Sequence, residues 1–331
     1  MGGMDDRLYY EGAGSYDTEA VRFFDTAHEG AQLRAVAQAV DRFEGLRGVQ
    51  ARSVVVVGVD NASRAMARAV ADLRAPLRLP VVVASVLPGY VGPLDVVVVV
   101  GDAADSEDAS RALITAAARG AETVLAGPGT GPLIDDAPDA TLVIPALPTA
   151  VGASPLRAFG TVAAVVDAFV EPGEVIRQRL ETVAGEVDHE LETLSPERDE
   201  SVNAARQLRA FVAGARVIHT GFERCGLAVA QSAAQLWSAK GIPSGFVERD
   251  ELTAATQEST AASVSDIFHD PFIDGGLRPE PIKTVVWNHD GPVMANSRAE
   301  GCEPSASGED GTVARLLVRA LAATVMNDPL S

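Results

Sequence analysis

The sequence predicts an α/β protein in which wound parallel sheets, covered by helices on both faces, form two successive units behind a helical arm. Three observations carry this. Runs of consecutive valine at 54–57 and 96–100 read as strands buried on both sides. Ala-rich stretches with helical spacing alternate with these runs. A strand-loop-helix pattern then occurs a second time in the C-terminal half. Hydrophobic residues make up 47% of the 331 residues but aromatic ones only 5%. The core must therefore be built from small and β-branched side chains, with helices lying close to the sheets.

Taken in order, residues 17–48 place Ala20, Val21, Phe23, Phe24, Leu33, Val36, Val40, Phe43 and Leu46 at helical spacing and read as one or two leading helices. Strands follow at 53–57, 81–86, 96–100, 123–126 and 141–144, where short apolar runs are bounded by turn residues. Between them, 62–73 and 106–119 carry helical periodicity, and a helix over 155–170 opens on Pro155. Residues 171–199, acidic and with two prolines, read as a charged helix and linker. The second unit is read as helix 202–213, strand 216–220, helix 224–240, strand 244–248, a helix near 251–263, a long loop over 264–283, strand 284–287, mostly irregular chain over 288–311, and helix 312–326. This divides the chain into an arm (1–50), a first domain (51–170), the charged segment (171–200) and a second domain (201–331).

An internal repeat links the halves. "VVVVGVDNASRAMARAVA" from Val54 and "VIHTGFERCGLAVAQSAA" from Val217 align Gly58 with Gly221, Asp60 with Glu223, Ala65 with Ala228 and Ala67 with Ala230. Duplication of one strand-loop-helix unit explains the match, as does the general likeness of any two such units.

Charge and cysteine content exclude several classes. Forty-six acids against 27 bases give a formal charge of −19, which repels nucleic acid and anionic lipid surfaces. Cys225 and Cys302 have no zinc-type spacing, so neither a disulfide framework nor a metal site is implied, and a reducing cytoplasm fits. The N-terminus has no basic and apolar leader pattern, and no apolar run approaches the ~20 residues that span a bilayer. No Gly-x-Gly-x-x-Gly follows a strand, so no dinucleotide is implied, and no other cofactor is either.

This layout resembles the sugar isomerase (SIS) family over nearly the whole chain, in particular its bifunctional phosphoglucose/phosphomannose isomerase-like branch. The best local match is "WSAKGIPSGF" over 237–246, where Ala239, Lys240 and Pro243 fit that branch's Glu-Asn-Ala-Lys segment and following proline. The resemblance implies two flavodoxin-like SIS subdomains in tandem, a homodimer, and a sugar derivative as ligand. Its phosphate would sit on Ser/Thr-rich loops at helix N-termini.

The resemblance also implies where the site lies. Ligand contacts are expected on Gly58, Asn61 and Ser63 of "GVDNAS", on Asp102, Asp105 and Ser106 after the second valine run, and on Gly221, which aligns with Gly58; apart from the resemblance, Thr130 of "GPGTGP" and His219 of the second unit are candidate contacts by their own chemistry. Two departures stand out. The family's hydroxyl-bearing loop Ser-x-Ser-Gly-x-Thr-x-Glu falls on Val100 to Glu107, so Asp102 and Asp105 stand where hydroxyls would be. Trp237 takes the position of the isomerase base, and no histidine lies between His219 and His269 for ring opening.

The four acids of "VVVVVGDAADSED" divide into two groups. Asp105 as a cap, with Glu107 and Asp108 in the first turn, is ordinary helix-end chemistry. Asp102 is left without that account. Three residues are candidates for displaced catalysis: Glu223, either a base or a first-turn acid facing the helix dipole, and His289 with Asp290 in "WNHDGP", either an acid-base pair or turn formers. His219 reads as a satisfied histidine on a buried strand or as a ligand contact, and Thr130 as part of a connecting loop or an anion contact.

Three functions follow from the sequence. The first is a sugar-derivative binder on an isomerase-like frame, its aldose-ketose isomerase activity weakened or lost. The second is an active isomerase interconverting fructose 6-phosphate with glucose or mannose 6-phosphate through displaced residues. The third is a structural dimer that binds partners through the loops at 264–283 and 288–311.

Overall fold

A computed structural model describes residues 17–144, 146–148, 152–256, 281–291 and 294–327. The chain begins with helices α1 (Thr18–Thr26) and α2 (Glu29–Ala39) and a 3-10 stretch, Val40–Leu46. The first unit then runs β1 (Ser53–Gly58), α3 (Asn61–Leu73), β2 (Val81–Ala84), β3 (Asp95–Val100), α4 (Glu107–Ala118), β4 (Glu122–Ala126), the short α5 (Pro132–Asp135), β5 (Leu142–Val143) and α6 (Pro155–Ala168). Helix α7 (Gly173–Thr193) leads to the second unit: α8 (Ala204–Val212), β6 (Arg216–Gly221), α9 (Glu223–Ala239), β7 (Ser244–Phe246), β8 (Ile282–Trp287), β9 (Ser297–Glu300) and α10 (Glu309–Val325). Both sheets are parallel, in the orders β2-β1-β3-β4-β5 and β7-β6-β8-β9.

The valine runs behave as doubly buried strands. Val54, Val56, Val96, Val98 and Val100 join the large core beneath α3 and α6, while Val55, Val57, Val97 and Val99 face α4 in a separate cluster with Ala112, Leu113 and Leu133. All of these valines are 0–2% exposed, which is why neither strand shows polar alternation. The large core continues without a break into the second unit through Val217, Val229, Trp237, Val285 and Trp287. Helices α3 and α9, the two halves of the internal repeat, pack on each other. Ala65, Ala67, Ala228 and Ala230 are all buried.

Helix α7 buries Ile176, Leu180, Val183, Val187 and Leu191 along one side and packs on α2 and α10. Two ion-pair groups fasten this seam. Arg74, at the end of α3, binds both Asp167 of α6 and Asp310 of α10, and Arg179 of α7 shares Asp167. Glu190 of α7 holds Arg315 and Arg319 of α10.

The structure differs from the sequence expectations at several points. Strand β9 lies within 288–311, which the sequence reads as mostly irregular. It is a short edge strand whose Arg298 and Glu300 pair with each other, with Glu300 also bound by Arg319, so it has no apolar signature. The strands at 81–86 and 244–248 stop at Ala84 and Phe246, and the last helix begins at Glu309 after Gly308, whose φ is 66°. Four strands form the second sheet among the described residues, the three read from the sequence and β9. The expected helix over 251–263 and loop over 264–283 fall mostly outside the described residues. Among those described, no helix is long and apolar enough to cross a membrane.

Candidate functional site

Open parallel sheets present ligand sites beyond the carboxyl ends of their strands. In the first sheet that edge carries the loops after β1 and β3. Asp60 caps α3 by accepting the Ser63 N–H at 2.7 Å, and Arg64 donates to the Gly58 carbonyl at 2.7 Å and to the Asn61 side chain. Gly101, with φ 136°, brings the second loop against the first. A Cβ there would lie 2.8 Å from Ser63 Oγ and 2.9 Å from Asp60 Oδ2, so only glycine fits this approach.

Asp102 is the next residue. Its side chain is 17% exposed, forms an ion pair with Arg157, and accepts the Ser154 N–H at 2.9 Å. Both partners belong to the start of α6, which Ser154 caps. Glu29, on α2, approaches the same helix end and accepts the Leu156 N–H at 2.8 Å. The Arg157 N–H goes to Ser154 Oγ, the Ala158 N–H goes to the Ser154 carbonyl, and Pro155 has no N–H. The free donors with which a helix N-terminus holds an anion are thus all engaged by the protein itself. Burial pushes the Glu29 carboxyl up to about 8 against the Leu156 and Ser154 hydrogen bonds, with Asp102 adding to the rise and Arg157 opposing it. Burial likewise raises Asp102, opposed by Arg157 and the Ser154 amide.

The remaining residues of this edge make other contacts. Ser106 caps α4 through the Ala109 N–H at 3.4 Å, so the cap falls one residue later than the Asp105 expected from the sequence, because the hydroxyl reaches the third helical amide. Asp105 is exposed, and Arg111 pairs with Glu107 and Asp108 along the helix surface. Thr130 is exposed on the loop after β4, which is tied to the loop after β3 by the Leu133 N–H donating to the Ala104 carbonyl at 2.9 Å.

In the second unit, β6 and β8 are neighbours, with Gly221 beside Trp287, so their loops bring Glu223, His289 and Asp290 to one edge. Glu223 is exposed and takes a left-handed backbone, φ 56°, at the start of α9. The Phe222 ring stacks on His289 with centroids 4.3 Å apart, and the Arg249 guanidinium lies 4.5 Å from the same ring. Among the described residues no hydrogen bond links Glu223, His289 and Asp290. Gly221 lies so close to Gly226 that a Cβ would overlap the Gly226 backbone.

His219 is far from being a surface contact. It is fully buried, its Nδ1 accepts the Trp287 indole N–H at 3.0 Å, and the Trp237 ring meets it edge-on at 4.8 Å. Burial depresses its basicity to about 3, so it is neutral. Trp237, at the position of the family's base, is itself core and donates to the Ala320 carbonyl at 2.8 Å. Sequence reading missed Glu29 and Arg157. The available signal was Arg157 itself, the one cation in α6, whose residues are all buried.

No protein-family model matches the sequence, and no curated protein matches it either. Solved structures do. The C-terminal domain of glucosamine-fructose-6-phosphate aminotransferase from Francisella tularensis superposes with a TM-score of 0.59 at 11% identity, covering 94% of this chain and 96% of that one. Tagatose-6-phosphate ketose/aldose isomerase from Escherichia coli gives a TM-score of 0.58 at 13% identity, covering 92% of each chain. Together with the two parallel sheets described above, these likenesses identify the chain's fold as the tandem SIS architecture.

Proposed function

We propose that this chain is a homodimeric carbohydrate-derivative-binding protein with a regulatory role, built on the SIS scaffold, in which aldose-ketose isomerase activity is weak or lost. The observation that carries this reading is Asp102. Its carboxylate sits on Arg157 and the Ser154 amide, where a phosphorylated sugar would need donors. A phosphate placed about 4 Å from that carboxylate would meet a repulsion of about 4 kcal/mol per pair of unit charges at an effective dielectric of 20. The fold neighbours are named for phosphorylated sugars, which supports a sugar derivative as the ligand class. The buried Trp237 at the position of the family's base, and a sequence with no histidine between His219 and His269 for ring opening, support loss of turnover.

A thermal-shift panel of neutral, amino and N-acetylated sugars tests the reading, run beside exchange of the C2 proton of fructose 6-phosphate in heavy water. Stabilisation by at least one unphosphorylated sugar, with no exchange, is expected. A flat response across the panel contradicts it.

A second reading, an isomerase using displaced residues, draws on the shared edge that holds Glu223, His289 and Asp290. C2 exchange by the wild type that is lost in Glu223→Gln would favour it over the first.

A further inference from the structure

The start of α6 has the parts of an oxyanion seat, and the oxyanion in it belongs to the protein. The donors are the Ser154 N–H, the Arg157 guanidinium and the positive end of a 14-residue helix. Asp102 takes the first two with a carboxylate fixed to the β3 loop. The guanidinium is not saturated: the Arg157 side chain is 3% exposed, yet its Nη1 has no hydrogen-bond partner. A tethered two-oxygen group therefore leaves donor capacity unused in a place where an unpaired buried N–H is costly.

We infer that Arg157 and the N-terminus of α6 form an oxyanion-binding site that Asp102 occupies as an internal ligand, making Asp102 the residue that bars phosphate from the first unit. This deepens the proposed function and rests on its reading of Asp102. The two carboxylates near Arg157 play different parts. Glu29 holds the Leu156 amide, and with its carboxyl near 8 it is mostly protonated at neutral pH, so it leaves the guanidinium charge uncompensated. Asp102 supplies the compensating charge. Once it is shortened to an uncharged side chain, the guanidinium, the Ser154 N–H and the helix end are left facing an opening about the size of a carboxylate.

The test compares thermal unfolding of the wild type, Asp102→Ser and the double variant Asp102→Ser/Arg157→Gln at pH 7. The media are inorganic phosphate, acetate and chloride at matched ionic strength. A millimolar site at 100 mM anion stabilises its protein about 100-fold, which for a chain of this size is a midpoint rise of about 4 °C. Asp102→Ser is expected to show that rise in phosphate or acetate relative to chloride, the wild type to stay within about 1 °C, and the double variant to lose the response.

An equal response in the wild type, a response that survives loss of Arg157, or no response in Asp102→Ser overturns the inference. If Asp102→Ser does not fold in chloride, its refolding yield reads the same thing. Recovery in phosphate or acetate supports the site, and equal failure in all three media overturns it. The probes contain no sugar, so a negative result here stands apart from a negative sugar panel.

Discussion

Replacing Glu29 by glutamine is expected to change how stability depends on pH. The Glu29 carboxyl is fully buried and titrates near 8, against 4.5 for the free side chain. Its folded-state affinity for the proton is raised, so its contribution to stability is whole below pH 4.5 and is lost as the pH rises through 8. Each pH unit in that window costs about 1.4 kcal/mol, or about 5 kcal/mol over the whole shift, as an order of magnitude. Glutamine keeps an acceptor for the Leu156 N–H but does not ionise. Denaturant unfolding followed by circular dichroism from pH 5 to 9 reads the difference. Wild-type stability relative to Glu29→Gln should fall by about 4 kcal/mol between pH 5 and 8 and then level off. Parallel curves for the two proteins would refute the buried, protonated Glu29.

His219 produces the opposite slope. Its folded proton affinity is depressed from 6.5 to about 3, so stability is lost as the pH falls below 6.5. Between about pH 4.5 and 6.5 the two slopes oppose each other, and His219→Phe should remove the acid-side loss while leaving the alkaline one. Arg74→Met strips the counter-ion from the buried Asp310 and one of two from Asp167, and should cost about 3–5 kcal/mol in denaturant unfolding. Arg74→Lys should recover only part, since a lysine cannot make both two-pronged contacts. Gly221→Ala should yield insoluble or unfolded protein, because its Cβ meets Gly226 backbone. Gly58→Ala meets Arg64 Cγ and, at 2.9 Å, the Arg64 backbone nitrogen, so the first turn of α3 must shift, and the loss in denaturant unfolding should be about 3 kcal/mol, the upper end for overpacking.

Much of the fold was legible because its strands are buried on both faces. Continuous valine at 54–57 and 96–100 leaves few alternatives, and the small residues of the internal repeat mark the helix pair at the junction of the units. Strand β9 was not legible, since an edge strand stabilised by Arg298, Glu300 and Arg319 looks like a polar loop. The site was legible in part. Helix-end chemistry accounts for Glu107 and Asp108 and not for Asp102, and that exclusion pointed to the residue that matters. Its partners could not be found in the same way. Arg157 lies 55 residues away along the chain, and Glu29 reaches an amide 127 residues on. No local pattern encodes a contact that exists only once α2, β3 and α6 are packed together.

The most direct measurement is calorimetric titration of the wild-type protein with fructose 6-phosphate beside unphosphorylated fructose. With Asp102 seated on Arg157, the phosphate should add no affinity, and the phosphorylated sugar should bind no more tightly than the neutral one. Tighter binding of fructose 6-phosphate by tenfold or more, about 1.4 kcal/mol, would contradict a self-occupied first site.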